Sequence, residues 1–193
     1  PTGITSNKLI CVSGIGVTKD FSCIITDQLP DLELIGKSQC FPLYWYEERK
    51  DIQGSLLDTD ESKDRYKRHD GITDWILKEV RKRFGNSKAI TKEHIFYYVY
   101  GILHSPQYRE RFAADLKKSL PRIPIVDNVE DFMAFYKAGK ALADLHLNYE
   151  QVPPCPDVTP KVADAVFEED SAEKPFAYTK YSHFFVDKMT FPK

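Results

Sequence analysis

ITKEHIFYYVYGILHSPQYRERFAADLKKSLPRIP, residues 90–124, is the stretch whose reading decides the fold. Thr91 suits an N-cap, because its hydroxyl accepts from the unpaired N–H groups of a first helical turn. Ile95, Val99 and Ile102, with Phe96 and Leu103, recur at helical spacing as one apolar stripe. His104-Ser105-Pro106 interrupts it, Ser105 as a cap and Pro106 at a first helical position. The helix that follows directs Tyr108, Phe112 and Leu116 inward and Arg109, Arg111, Lys117 and Lys118 outward. Leu120-Pro121-Arg122-Ile123-Pro124 ends it, since the two prolines forbid further helix. The physical reading is a packed helical pair with a basic outer face.

Upstream, Asp70-Gly71-Ile72-Thr73 introduces a helix whose apolar face holds Ile72, Trp75, Ile76, Val80 and Phe84, and Gly85 stops it. Arg81, Lys82 and Arg83 crowd its last turn, where the helix dipole favours cations. Downstream, Asn128 caps a helix to about His146, with Phe132, Phe135, Leu142 and Leu145 inward and Gly139 permitting close packing on a neighbour. Leu9–Ser13 and Phe21–Thr26 read as strands joined by a glycine-bearing turn, and Gln39–Tyr46 as an aromatic strand that Pro42 places at an edge. Residues 47–70 hold 6 basic and 8 acidic residues with little to bury, which reads as a charged surface loop. Its end, Arg65-Tyr66-Lys67-Arg68-His69, is a cationic cluster around one aromatic. Residues 149–193 read as a connector, stiffened by Pro153, Pro154 and Pro156, and a closing strand over Tyr181–Met189. The expected domain is therefore one α+β unit over 1–193: strand-rich 1–46, the loop 47–70, helical 71–148, then the connector. A small twisted sheet packs against a subdomain of about four helices.

Length, at 193 residues, supports one good core, and no apolar run reaches the roughly 20 residues of a membrane helix. The net charge of −2 makes no whole-chain argument for a polyanion, but its distribution does. Residues 71–124 carry 11 Lys/Arg against 5 Asp/Glu, whereas both flanks are acidic. Cys11, Cys23, Cys40 and Cys155 lack CxxC spacing and read as buried free thiols of a reducing cytosol. Without an opening Met, the chain reads as a piece of something longer.

Catalytic groupings are hard to assemble. Ser13-Gly14-Ile15-Gly16 lacks the third glycine, the lysine and the helix of a phosphate loop. Five scattered histidines form no metal spacing, and Asp27, Asp31 and Glu33 lack the following Glu-x-Lys that a nuclease site of the PD…ExK kind needs. The expectation is a fragment that is no enzyme and has no cofactor of its own.

Several phrases resemble one family. They are Gln39–Tyr44, Ile72-Thr73-Asp74-Trp75, Ile90–Tyr100, His104–Arg109, Leu120–Pro124 and Ala141–Glu150. Taken in this order they are similar to the C-terminal specificity region of Type ISP restriction–modification enzymes, from about Leu9 to Lys193. The resemblance implies a parent polypeptide with a nuclease, a helicase-like ATPase motor and an adenine-N6 methyltransferase. That parent would use ATP, Mg and S-adenosylmethionine. This chain has neither Walker motifs nor the Asn-Pro-Pro-Tyr of the methyltransferase, so those functions are expected elsewhere. What is implied here is recognition of a double-stranded DNA target, in the cytoplasm and without a membrane, beside the methyltransferase and the other domains. The alternative is a scaffold that docks the methyltransferase without reading DNA itself. Residue chemistry supplies the candidate contacts: Lys19, Lys37, Ser38 and Gln39 for a groove; Arg65, Lys67 and Arg68 for phosphates; Arg109, Arg111, Lys117, Lys118 and Arg122 as a second basic band.

Overall fold

The computed structural model describes residues 7–48, 66–85 and 87–153. Helix α2, Lys92–His104, is its centre, with Ile95–Tyr98 and Tyr100–Leu103 all buried. Thr91 caps it, accepting from the His94 N–H at 3.2 Å while the His94 ring accepts the Thr91 N–H at 3.3 Å. A helix buried nearly all round needs neighbours on every side. Helix α5, Val129–Leu147, capped by Asn128, lies along it. Two glycines set how closely: a Cβ on Gly139 would strike the Tyr97 carbonyl, and one on Gly101 the Phe135 carbonyl. Backbone therefore meets backbone, and the large rings pack beside the crossing, with Tyr98 stacked on Phe132 at 4.5 Å. Burying each such side chain contributes roughly 1.5–3 kcal/mol.

Burial of four tyrosines would be costly without hydroxyl partners, and each has one. Lys8 Nζ donates to Tyr97 at 2.7 Å, and Tyr100 meets His146 Nδ1 at 2.5 Å. Tyr98 donates to the Pro124 carbonyl at 2.7 Å and accepts from the Val126 N–H at 3.2 Å. Tyr108 donates to the Arg122 carbonyl at 2.9 Å. The last two pin the extended segment from Arg122 to Val126. Helix α1, Asp74–Arg83, is capped by Thr73 and ends at Gly85 with φ +68°. The helix expected after Ser105 breaks at Phe112 into α3, Pro106–Arg111, and α4, Ala113–Leu116.

Strands β1, Leu9–Val12, β2, Cys23–Thr26, and β3, Gln39–Pro42, make an antiparallel sheet ordered β2-β1-β3. Pro42 lies on edge strand β3, where its missing N–H breaks no ladder. Cys11 faces Cys40 across the sheet, both as free thiols, and burial pushes the Cys11 and Cys23 thiols up to about 12.

Several expectations change. The aromatic strand is not continuous: it stops at Leu43, whose N–H turns to the Lys8 carbonyl at 2.8 Å. It resumes as β4, Tyr44–Glu48, in a second sheet with β5, Tyr66–Asp70. Asn7 holds this corner, accepting from the Tyr44 N–H at 3.0 Å and donating to its carbonyl. Both ends of the expected 47–70 loop are thus strand, because cross-strand partners replace the burial that the segment lacks. Trp75 and Leu145 are 69% and 50% exposed rather than inward. The stripes that do face the core run through Ile76 and Val80 in α1, continued by Phe84 just past its end, and through Phe132, Gly139 and Ala143 in α5, leaving both outside. The closing strand, Cys155 and Arg65 lie outside the described residues. The α+β class holds, with two small sheets among the described residues where one was expected. The chain divides into two units, Pro1–Glu150 and Gln151–Lys193, and all of these elements belong to the first.

Candidate nucleic-acid interface

Several of the candidate side chains gather at the two ends of β1. At its Leu9 end the chain passes through Pro42 and Leu43 into the β4–β5 hairpin, which carries Lys67 and Arg68 on an exposed strand. Lys92 anchors that hairpin to the helices, bridging Asp70 at 2.7 Å and Asp74 at 2.6 Å. Antiparallel register puts Trp45 opposite His69 and Tyr46 opposite Arg68. The Trp45 and His69 rings stack at 4.2 Å and 11°, and His69 Nε2 meets Glu47 Oε2 at 3.0 Å. The Arg68 guanidinium lies 4.4 Å over the Tyr44 ring. Stacking stiffens the strand and leaves guanidinium edges for an anion.

At the Val12 end the loops 13–22 and 27–38 meet, the Gly14 N–H donating to the Gly36 carbonyl at 3.0 Å. Lys19 and Lys37 are exposed here and Gln39 is half-buried. Ser38 is buried: its hydroxyl accepts from the Ile35 N–H at 3.0 Å, which makes it a staple of its own loop. The basic band reaches the same end, since Lys117 pairs with Asp20 at 3.0 Å and Arg109 lies 5.8 Å over the Phe21 ring. Arg109 is not outward as its helical position suggested. It donates to the Leu103 carbonyl at 2.6 Å and reaches His104 Nδ1 at 3.2 Å, closing the end of α2. Burial, with that guanidinium beside it, holds the His104 imidazole down to about 4. Arg111, Lys118 and Arg122 are exposed.

Between the two ends runs an apolar groove of about 440 Å³, walled by Phe41, Trp45, Val99, Leu103 and Pro121 among others. Its walls offer few hydrogen-bonding groups, so it is not a place to read base edges. Sequence reasoning missed the Trp45–His69 stack, whose only signal was an aromatic strand and a distant histidine. It also missed the exposure of Leu29, Leu32 and Leu34.

Cations and stacked rings are thus displayed on strands and loops around a packed helical core. The chain belongs to the family of Type ISP C-terminal specificity domains, whose profile matches residues 1–193. Among solved structures, it is similar to a chain of the DrdV–DNA complex, with 34% identity and a TM-score of 0.66, over 83% of this chain and 14% of that one. It is similar to the ATP-dependent Type ISP restriction–modification enzyme LlaBIII bound to DNA, with 36% identity and a TM-score of 0.63, over 81% and 9%. The third is a nuclease-deletion mutant of the Type ISP enzyme LlaGI with a DNA substrate mimic, with 34% identity and a TM-score of 0.57, over 81% and 11%. This chain thus spans between 9% and 14% of the length of these relatives. No curated protein matched it.

Proposed function

We propose that this chain is the part of a longer, cytoplasmic, ATP-dependent restriction–modification polypeptide that recognises a short double-stranded DNA sequence. The observation that carries the reading is its likeness, at 34–36% identity, to chains solved on DNA. Lys67 and Arg68, displayed on a strand braced by stacking, suit phosphate oxygens and fix register on the duplex. Arg111, Lys118 and Arg122 form a second anchoring band, the backbone at Arg122 held by the tyrosine bonds to its segment. Gln39 and Lys19 have the donors and acceptors that base edges require. ATP, Mg and S-adenosylmethionine act in the other domains, and this chain catalyses no step.

The test is selection from a randomised duplex pool at low and moderate salt, followed by sequencing of the retained DNA. Enrichment of one short motif supports target reading. Retention without enrichment, in the chain and in the longer polypeptide alike, defeats it.

A further inference from the structure

The loop between β2 and β3 exposes apolar surface that the sheet does not account for. Leu29 is 96% exposed, Leu32 67% and Leu34 46%, with Ile15 beside the Gly14–Gly36 contact at 49%. The loop is nevertheless ordered by its own bonds. The Glu33 N–H donates to Asp31 Oδ1 at 2.7 Å, the Gly36 N–H to the Glu33 carbonyl at 3.3 Å, and the Ser38 N–H to the Leu32 carbonyl at 2.5 Å. A Cβ on Gly14 would strike the Lys37 carbonyl, so the loop is seated closely on the sheet. One exposed leucine needs no explanation, but three within six residues of a fixed loop mark an interface.

Charge selects the occupant. Asp27, Asp31 and Glu33 alternate with the leucines, and Lys37 is the loop's lone basic residue. Carboxylates so placed repel a phosphate backbone. They complement an apolar recess rimmed by Lys or Arg. The relatives in which such a domain is 9–14% of one chain put most of the surface available for docking in the same polypeptide. We infer that the 27–38 loop docks this domain onto an apolar, basic-rimmed recess of another domain of the longer polypeptide. The inference rests on the proposed membership in such a polypeptide but not on DNA contact.

The test uses the intact polypeptide, wild type and Leu29→Asp/Leu32→Asp, followed by hydrogen exchange with duplex affinity measured on the same samples. Both leucines are exposed, so the substitutions leave the sheet's own packing intact, and unchanged exchange at Leu9–Val12 verifies this. The expected result is exchange at least about tenfold faster in the loop and in one second segment outside this domain, which identifies the recess. Unchanged exchange outside the domain overturns the inference. So does a loss of duplex affinity with no change in exchange elsewhere, which would return the loop to DNA. Failure of the wild type to bind any duplex would instead count against the DNA reading and leave the exchange result to stand by itself.

Discussion

The last turn of α1 and strand β5 look alike in sequence, Arg81-Lys82-Arg83 against Lys67-Arg68-His69, but the fold gives their guanidinium groups different partners. Arg81 donates twice to the Ile90 carbonyl, at 2.9 and 2.7 Å, and Arg83 donates to the Val126 carbonyl at 2.9 Å. Arg109 does the same for Leu103. Arg109 thus closes the end of α2, while Arg81 and Arg83 tie down the segments that lead into α2 and α5, and all three partners are main-chain oxygens that a charge-assisted bond holds strongly. Arg68 meets a ring face and Lys67 is exposed on its strand. The lesson is that a basic segment becomes a binding candidate only when the fold has not already supplied acceptors for it. Disruption in the inward region should therefore cost stability, and disruption in the outward region should cost binding.

The largest effect is expected at the helix crossing. Gly139→Val would drive a side chain into the Tyr97 carbonyl and Gly101, and should cost at least about 3 kcal/mol in urea unfolding. A loss below 1 kcal/mol would mean that α2 and α5 can separate without harm. Arg109→Met should follow at about 2 kcal/mol, since the Leu103 carbonyl and the His104 ring lose their donor. Its salt dependence of DNA binding should match wild type, and a shallower slope would move Arg109 to the outward set.

A finer test uses acid. The folded chain holds His104 neutral down to about pH 4, whereas the unfolded chain protonates it near 6.5. Between these values the unfolded state binds more protons, so stability should fall as pH falls from about 6.5 and level off in this contribution below about 4. His104→Phe keeps a ring against Tyr100 and His146 and should flatten that part of the slope. An unchanged slope would place the acid sensitivity in other groups.

How much of this was legible in the sequence follows the range of each interaction. Thr91, Ser105 and Asn128 cap helices through bonds three residues away, so residue type was enough to find them. Gly139 was legible as a close-packing position, though not its partner Gly101. Strand β5 was not legible: it has no alternation and is held by β4, with Trp45 and His69 separated by 24 positions in sequence. Sidedness failed for Trp75 and Leu145 because apolar identity does not say which edge of a stripe is covered. The candidate list failed to separate Arg109 and Ser38 from Lys67 for a related reason, since the bonds that commit a side chain to the fold are invisible until the fold exists.

The most direct test of the central claim is the salt dependence of duplex binding for wild type and Lys67→Ala/Arg68→Ala, with urea stability measured on the same proteins. The account predicts that the slope of log K against log salt falls by up to about 1.8 for two lost phosphate contacts. Stability should change by no more than about 1 kcal/mol. An unchanged slope with lost stability would contradict it, and would place β5 with the arginines that hold the fold together.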